Sequence, residues 1–137
     1  MNHFLLTPNV LDESASVIGA DDACGALVIF VGHVRDTAHG QRVSALEFEA
    51  YEPMVISELE KIADEIIEQW PVKHVLLHHR TGRCNVGEAA VVAAVSSPHR
   101  AEAFEACAFL MNRLKATVPI WKREITEAGE VWVSATP

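Results

Sequence analysis

"EAAVVAAVSSPHRAEAFEACAFLMNRLKATVPIWKREI" (88–125) decides how this chain folds, because its apolar spacing changes twice. Residues 88–97 are apolar almost without a break, which predicts a strand. After Pro98, the residues Ala103, Phe104, Cys107, Leu110, Met111 and Leu114 recur at helical intervals and predict the buried face of a helix, with Ser96 and Ser97 offering an N-cap. Pro119 ends that helix at the latest. "IWKREI" (120–125) then reads as a strand, pairing with "EVWVS" (130–134) across a turn around Gly129.

Upstream, "VKHVLLHHR" (72–80) is a second strand, joined to the first through "TGRCNVGE", whose two glycines suggest a hairpin with a longer connection. Pro53 opens a helix in which Val55, Ile56, Leu59, Ile62, Ala63, Ile66, Ile67 and Trp70 form an apolar stripe, and Pro71 stops it. "VSALEFEAY" (43–51) alternates as a half-buried strand does, with Leu46, Phe48 and Ala50 on one side and Glu47 and Glu49 on the other. "ALVIFVG" (26–32) is apolar throughout, as a strand covered on both faces would be, and "HVRDTAHGQR" (33–42) reads as a polar loop. "HFLLT" (3–7) is a short first strand. Pro8 suits the start of a helix carrying Val10, Leu11, Ser14, Val17 and Ile18, and Gly19 to Gly25 reads as a turn. The order is roughly βαββαββαββ, an α+β plan with helices on a largely antiparallel sheet, in one domain over 1–137.

Composition narrows the function. With 137 residues, half of them hydrophobic, the chain can bury its own core. A formal net charge of −8 speaks against general binding to nucleic acid, which requires many cations to displace counterions. No apolar run reaches membrane-spanning length and the N-terminus lacks the pattern of a signal peptide, so a soluble cytoplasmic protein is expected. Cys24, Cys84 and Cys107 form no C-x-x-C pair, and their spacing fits reduced, buried thiols.

Several chemistries lack their residues. His74 and His78 would share a strand face ~13 Å apart, and His79 would point to the opposite face, so the histidine cluster does not close a metal site on its own. No H-E-x-x-H, G-x-S-x-G, G-x-G-x-x-G or Walker-type loop occurs. Basic residues are more suggestive. From Arg113 to Arg123 there are four cations and no carboxylate. Lys115 suits the end of a helix, where a cation complements the dipole, whereas Lys122 on a strand would share a face with Ile120 and Glu124, a partly buried setting that leaves nucleophilic, acid–base and electrostatic roles open. His99 and Arg100 stand in a first helical turn, against the dipole, where either an ion pair to Glu102 or Glu105 or a bound phosphate would compensate. Arg35 follows the end of the "IFVGHV" strand, a place for ligand contact or for an ordinary surface arginine.

These residues belong to five stretches, "FVGHVRD" (30–36), "LEFEAYEPM" (46–54), "HRTGRCNVGE" (79–88), "SSPHRAEAFEAC" (96–107) and "LKATVPIWKRE" (114–124). In that order they resemble the family of the large, catalytic subunit of molybdopterin synthase, over about Gly25 to Trp132. The resemblance implies an α/β hammerhead-type fold with an additional antiparallel β subdomain. It implies a sulfurtransferase of molybdenum cofactor biosynthesis that converts cyclic pyranopterin monophosphate into molybdopterin, taking sulfur from the C-terminal thiocarboxylate of a small ubiquitin-like sulfur-carrier subunit. A homodimer of this chain within a heterotetramer is implied, with no cofactor and no metal needed for sulfur transfer. The family's catalytic lysines fall on Lys115 and Lys122, and its substrate contacts on His33, Val34, Arg35, His99, Arg100, Lys115, Lys122, Arg123 and Glu124. The competing classes are a noncatalytic phosphate- or pterin-binding module and an assembly subunit. Convergence of Lys115, Lys122, Arg35 and Arg100 separates the first two readings from pure assembly, and the presence of both lysines favours catalysis over binding alone.

Overall fold

The computed structural model describes residues 1–133. In chain order the elements are β1 (Asn2–Thr7), β2 (Ala26–His33), β3 (Thr37–Ala38), β4 (Gln41–Ala50), α1 (Glu52–Gln69), β5 (His74–Arg80), β6 (Gly82–Asn85), β7 (Ala89–Ser97), α2 (Arg100–Thr117), β8 (Ile120–Thr126) and β9 (Gly129–Trp132). One sheet has the order β1-β5-β7-β2, with β1 parallel to β5 and the other neighbours antiparallel. The other is antiparallel in the order β3-β4-β8-β9, with β6 also pairing with β4. This is the expected α+β architecture with an additional antiparallel sheet.

The strand enclosed on both faces is β7, in which every residue is buried. Leu77, Val91, Ala93 and Val95 look toward the helices, meeting Val55, Leu59, Ile62, Ile66, Leu110 and Leu114 in the main core. Leu76, Val92 and Ala94 look the other way, under Leu11, Ala15 and Ile18. The "ALVIFVG" strand, expected to be covered twice, instead forms the edge as β2. Leu27, Ile29 and Phe30 keep 44%, 37% and 41% of their surface exposed, because β2 has a strand neighbour on one side only.

The helix expected from Pro8 does not form; residues 8–20 make bends and turns. Asp12 is the cause. Its Oδ1 accepts the Ser14 amide at 3.0 Å and the Ser14 hydroxyl at 2.6 Å, while its Oδ2 accepts the Ser16 amide at 3.0 Å and the Ser16 hydroxyl. Such local bonds offer the backbone an alternative to a helical ladder, and Ala15 adopts a left-handed φ of 52° between them. The apolar spacing that suggests a helix is therefore a burial pattern realised by a loop.

α1 forms with Pro53 in the first turn and Val55, Leu59, Ile62, Ala63 and Ile66 buried, but Ile67, expected in that stripe, is 50% exposed and Trp70 is the C-cap residue. α2 buries Ala103, Ala106, Cys107, Leu110 and Leu114. Phe104, expected in that face, is 61% exposed on its flank. Ser96 and Ser97 do not cap the helix. They remain in β7, the Ser97 hydroxyl donates to the His99 carbonyl at 2.6 Å, and His99 is the N-cap residue without a side-chain cap bond. The expected polar loop contains a tight ribbon: His39 and Gly40 have φ of 52° and 78°, the paired positive values of a two-residue turn, and join the two-residue β3 to the start of β4. Similarly, the connection after β5 contains β6. The last hairpin turns at Glu127 and Ala128, Gly129 beginning β9; Ser134, the end of the predicted strand, lies outside the described residues.

Hydrogen bonds from Ser14 and Ser16 hold the Asp12 carboxyl well below the usual carboxylate range. A depressed folded-state value contributes stability above the unfolded value of about 3.9, which is lost as the pH falls below it. Asp12→Ala should accelerate amide hydrogen exchange at Ser14 and Ser16 at neutral pH while leaving α2 protected. In the unmodified protein, protection of those amides relative to the intrinsic exchange rate at each pH should begin to decline as the pH falls below about 4.

Candidate active site

α2 ends in a sequence that leaves the chain little freedom. Leu114, Val118 and Ile120 are 1%, 0% and 0% exposed on either side of Pro119. The Val118 amide donates to the Leu114 carbonyl at 3.2 Å, and the Ile120 amide to the Val118 carbonyl at 2.9 Å. The chain thus passes from helix into β8, which runs antiparallel to β4 with Lys122 opposite Phe48, Arg123 opposite Glu47 and Glu124 opposite Leu46.

Side chains alternate along β8, so Lys122 and Arg123 leave opposite faces. Lys122 enters a cavity of about 160 Å³ at the junction of the two sheets. Phe30, Gly32 and His33 of β2, Leu46 and Phe48 of β4, His79 of β5, Ala90 and Val91 of β7, and Met111, Leu114 and Lys115 of α2 complete its walls. Lys115 and Lys122 therefore share one pocket, Lys115 exposed at its mouth and Lys122 half-buried. Gly32 has a steric reason to be glycine: a Cβ there would lie 2.8 Å from Val91 Cγ1, another wall residue.

The remaining candidates divide by location. His33 lines the cavity, and its Nε2 meets Glu13 Oε1 at 2.6 Å. Val34 is 3% exposed within the main core, its amide donating to the Glu88 carbonyl at 3.0 Å and its carbonyl accepting from Gly87 at 2.9 Å, so neither its side chain nor its backbone faces the pocket. Arg35 is exposed just beyond β2. Glu124 is buried on the Lys122 face. Arg123 does not face the lysines; it pairs with Glu47 and, at 2.9 Å, with Glu130, and its guanidinium lies 5.2 Å from the Trp132 ring centroid. It thus clasps β4, β8 and β9 together. His99 and Arg100 are exposed at the far end of α2, fifteen residues from Lys115, which at the helical rise is ~22 Å. Glu105 accepts a hydrogen bond from Trp70 Nε1 at 2.9 Å, and among the described residues Arg100 has no ion pair with it or with Glu102.

Sequence reasoning missed His79. It is 2% exposed, its ring meets Phe48 edge-on with centroids 4.9 Å apart, and its Nδ1 lies 2.8 Å from the Arg80 carbonyl. A strand pattern shows that His78 and His79 face opposite ways, but only the packing of β4 against β5 shows which one is enclosed. His74 is engaged elsewhere, 2.8 Å from Asp21 and 3.2 Å from His3. Burial raises the Cys84 thiol pKa and pushes that of Cys107 up to about 11, so neither offers a thiolate at neutral pH. The site's chemistry is cationic: two ammonium groups in an otherwise largely apolar recess, suited to an anion whose charge must be stabilised away from bulk water.

Against known proteins, the profile of the family described as "MoaE protein" matches residues 6–117. The chain belongs to the MoaE family. A relative from Pyrococcus abyssi called "Molybdopterin synthase catalytic subunit" is 43% identical over 121 residues, covering 88% of this chain and 82% of that one. A human relative of the same name is 48% identical over 122 residues, 89% of this chain but 64% of its own length. The crystal structure of molybdopterin synthase from Staphylococcus aureus superposes with a TM-score of 0.87 at 39% identity, covering 95% of each chain. The Helicobacter pylori complex of subunits 1 and 2 of molybdopterin-converting factor shares the fold, at a TM-score of 0.74 and 19% identity, covering 97% of this chain and 90% of that one. Among the described residues no helix is long and apolar enough to cross a membrane.

The thiol environments can be tested directly. Of the three cysteines, Cys24 is partly accessible and Cys84 and Cys107 are buried. In the native protein at pH 8, a thiol reagent such as Ellman's should titrate Cys24 quickly and the other two only after denaturation. Rapid reaction of Cys107 would contradict its raised pKa.

Proposed function

We propose that the chain is the catalytic subunit of a molybdopterin synthase, a cytoplasmic sulfurtransferase that converts cyclic pyranopterin monophosphate into molybdopterin. The observation that carries this reading is that Lys115 and Lys122 line one cavity at the sheet junction. Family membership supplies the reaction class.

The sulfur donor in this reading is a small ubiquitin-like subunit bearing a C-terminal thiocarboxylate. Its sulfur attacks a carbon of the pterin side chain, forming a C–S bond as the C–O bond at that carbon breaks and its oxygen leaves with the phosphate or, protonated, as water, and the carrier stays attached as a thioester. Water then cleaves the acyl–sulfur bond, releasing the carrier as a carboxylate and leaving sulfur on the pterin; a second carrier supplies the second sulfur of the dithiolene. Negative charge is present on the incoming thiocarboxylate and develops on the thioester oxygen during hydrolysis. Two ammonium groups fixed beside that position stabilise both without reorganising solvent. The cysteines of the chain are not needed as carriers. Partnership with the small subunit accords with the two-subunit complex known for the Helicobacter pylori protein of this fold.

Arg35, His99 and Arg100 suit the phosphate and polar pterin, since arginine grips phosphate through two parallel hydrogen bonds. The ~22 Å between Arg100 and Lys115 along α2 means that one chain does not bring both to the same cavity. A homodimer resolves this. In a two-fold dimer, the α2 N-terminus of one copy can complete the lysine cavity of the other. Arg123 and Glu124 then act as neighbours of Lys122 that hold β8 in place.

Lys122→Ala should leave the fold and dimer intact and reduce molybdopterin formation by at least about a thousandfold, measured with thiocarboxylated carrier and precursor. Full turnover by that variant would remove the catalytic role. Arg100→Ala should chiefly weaken precursor binding in a titration. If the site is shared, unfolding and refolding an equal mixture of Lys122→Ala and Arg100→Ala chains should restore about a quarter of native activity, because half of the dimers then hold one intact site. No recovery in that mixture would place both residues in the same copy's site.

A further inference from the structure

One carboxylate reaches the wall of the cationic cavity. Among the described residues neither Lys115 nor Lys122 has an ion pair, and the His79 ring is turned to the Arg80 carbonyl. His33 is the remaining polar residue of the wall, and its Nε2 lies 2.6 Å from Glu13 Oε1. An ionised carboxylate only accepts, so His33 donates this hydrogen bond and its Nε2–H is not open to a ligand while the contact stands. Both partners are held where they meet. Glu13 lies inside the turn that Asp12 closes on Ser14 and Ser16, between Leu11 and Ala15, which are 5% and 2% exposed. His33 ends β2 where the register against β7 shifts between Gly32 and His33, an irregularity of the kind that re-aims a side chain beside a site.

The contact does little for the fold. The His33 and Glu13 side chains keep 46% and 51% of their surface exposed, and exposed pairs of this kind add little to stability. What it changes is the electrostatics of the recess, setting a negative charge against a wall that two ammonium groups make positive. We propose that Glu13 gates the lysine cavity, occupying the His33 imidazole until an anionic ligand displaces it. The gate makes the cavity selective. An anion that reaches His33 alone merely replaces a tethered carboxylate, which has the advantage of being always at hand. One that also engages Lys115 and Lys122 gains two ammonium contacts beyond that exchange, and all three residues line the same cavity of about 160 Å³. Two anions of the proposed reaction have this chemistry, the phosphate of the precursor and the thiocarboxylate of the carrier. The inference deepens the reading of the cavity as the site of an anionic substrate and rests on it.

Two substitutions of the carboxylate and one of its partner test the gate. Each variant is titrated calorimetrically with the precursor alone and with the thiocarboxylated carrier alone, and its thermal midpoint is measured. Glu13→Gln keeps an acceptor and loses the charge, so it should tighten binding of at least one ligand about threefold to fivefold, with a midpoint within about 2 °C of native. Glu13→Ala should act in the same direction. The titration that tightens identifies the anion that displaces Glu13. With His33→Ala already in place, Glu13→Gln should shift that affinity by less than about 1.5-fold, because no imidazole is left to release. Unchanged or weakened binding of both ligands in Glu13→Gln would overturn the proposal. Equal tightening with and without His33 would do the same, since it marks a distant field rather than a gate, as would opposite effects of the Gln and Ala variants. Lys122→Ala separates the two levels. If it leaves both titrations unchanged, the cavity is not the anion's site and both readings fall; if it weakens one that Glu13→Gln leaves untouched, only the gate falls.

Discussion

The site depends on the burial of Leu114, Val118 and Ile120 around Pro119. Fully extended, the seven residues from Lys115 to Lys122 would separate their Cα atoms by ~23 Å. Instead, three apolar anchors draw both sides of the proline into one core, and both lysines line one cavity. Apolar side chains of this kind contribute roughly 1.5–3 kcal/mol each on burial, enough to hold the connection against the entropy of ordering it. Proline adds its own constraint: with no amide to continue the helical ladder, it makes the helix end where the connection begins. Placement of two like charges near each other is thus a by-product of hydrophobic packing, which supplies the free energy that their mutual repulsion opposes.

Ion pairing then decides which cations are available. Of the four between Arg113 and Arg123, the two arginines are engaged: Arg113 with Glu65 at 2.6 Å, and Arg123 with Glu47 and Glu130. Among the described residues neither lysine is paired. Exposed ion pairs add little to stability, so the chief effect of these carboxylates is selective neutralisation. An acidic chain can in this way keep a cationic recess, and the surrounding negative charge makes the recess the local exception to which an anionic ligand is drawn. The raised thiol pKa values at Cys84 and Cys107 fit the same division, leaving amines rather than thiolates as the polar chemistry of the interior.

Periodicity exposed the two long helices and most strands because each buries one continuous apolar face. It failed where burial and secondary structure separate. Leu11, Ala15 and Ile18 cover the sheet from a loop, since Asp12 captures the amides that a helix would use. "ALVIFVG" and "EAAVVAAVSS" both read as strands, yet composition does not reveal that the second is central and the first an edge; sheet order follows from long-range pairing. Phe104 has the right residue type for a core but lies on the flank of its helix, and its exposure depends on where α2 meets the sheet.

Sequence alone determined the chemical inventory: two lysines flanking a proline, basic residues at a helix start, cysteines without partners, and a charge balance unsuited to nucleic acid. It also determined where the long helices must end, because proline acts on the residues next to it. Tertiary structure decided which groups meet. Lys115, Lys122 and His79 come from α2, β8 and β5 and share a cavity only because two sheets pack at that junction, whereas Arg123, adjacent to Lys122 in the chain, is turned to the opposite face by strand alternation. Neighbourhood along a chain is set by covalent bonds, but neighbourhood in a site is set by the burial of apolar faces whose partners lie far away in sequence.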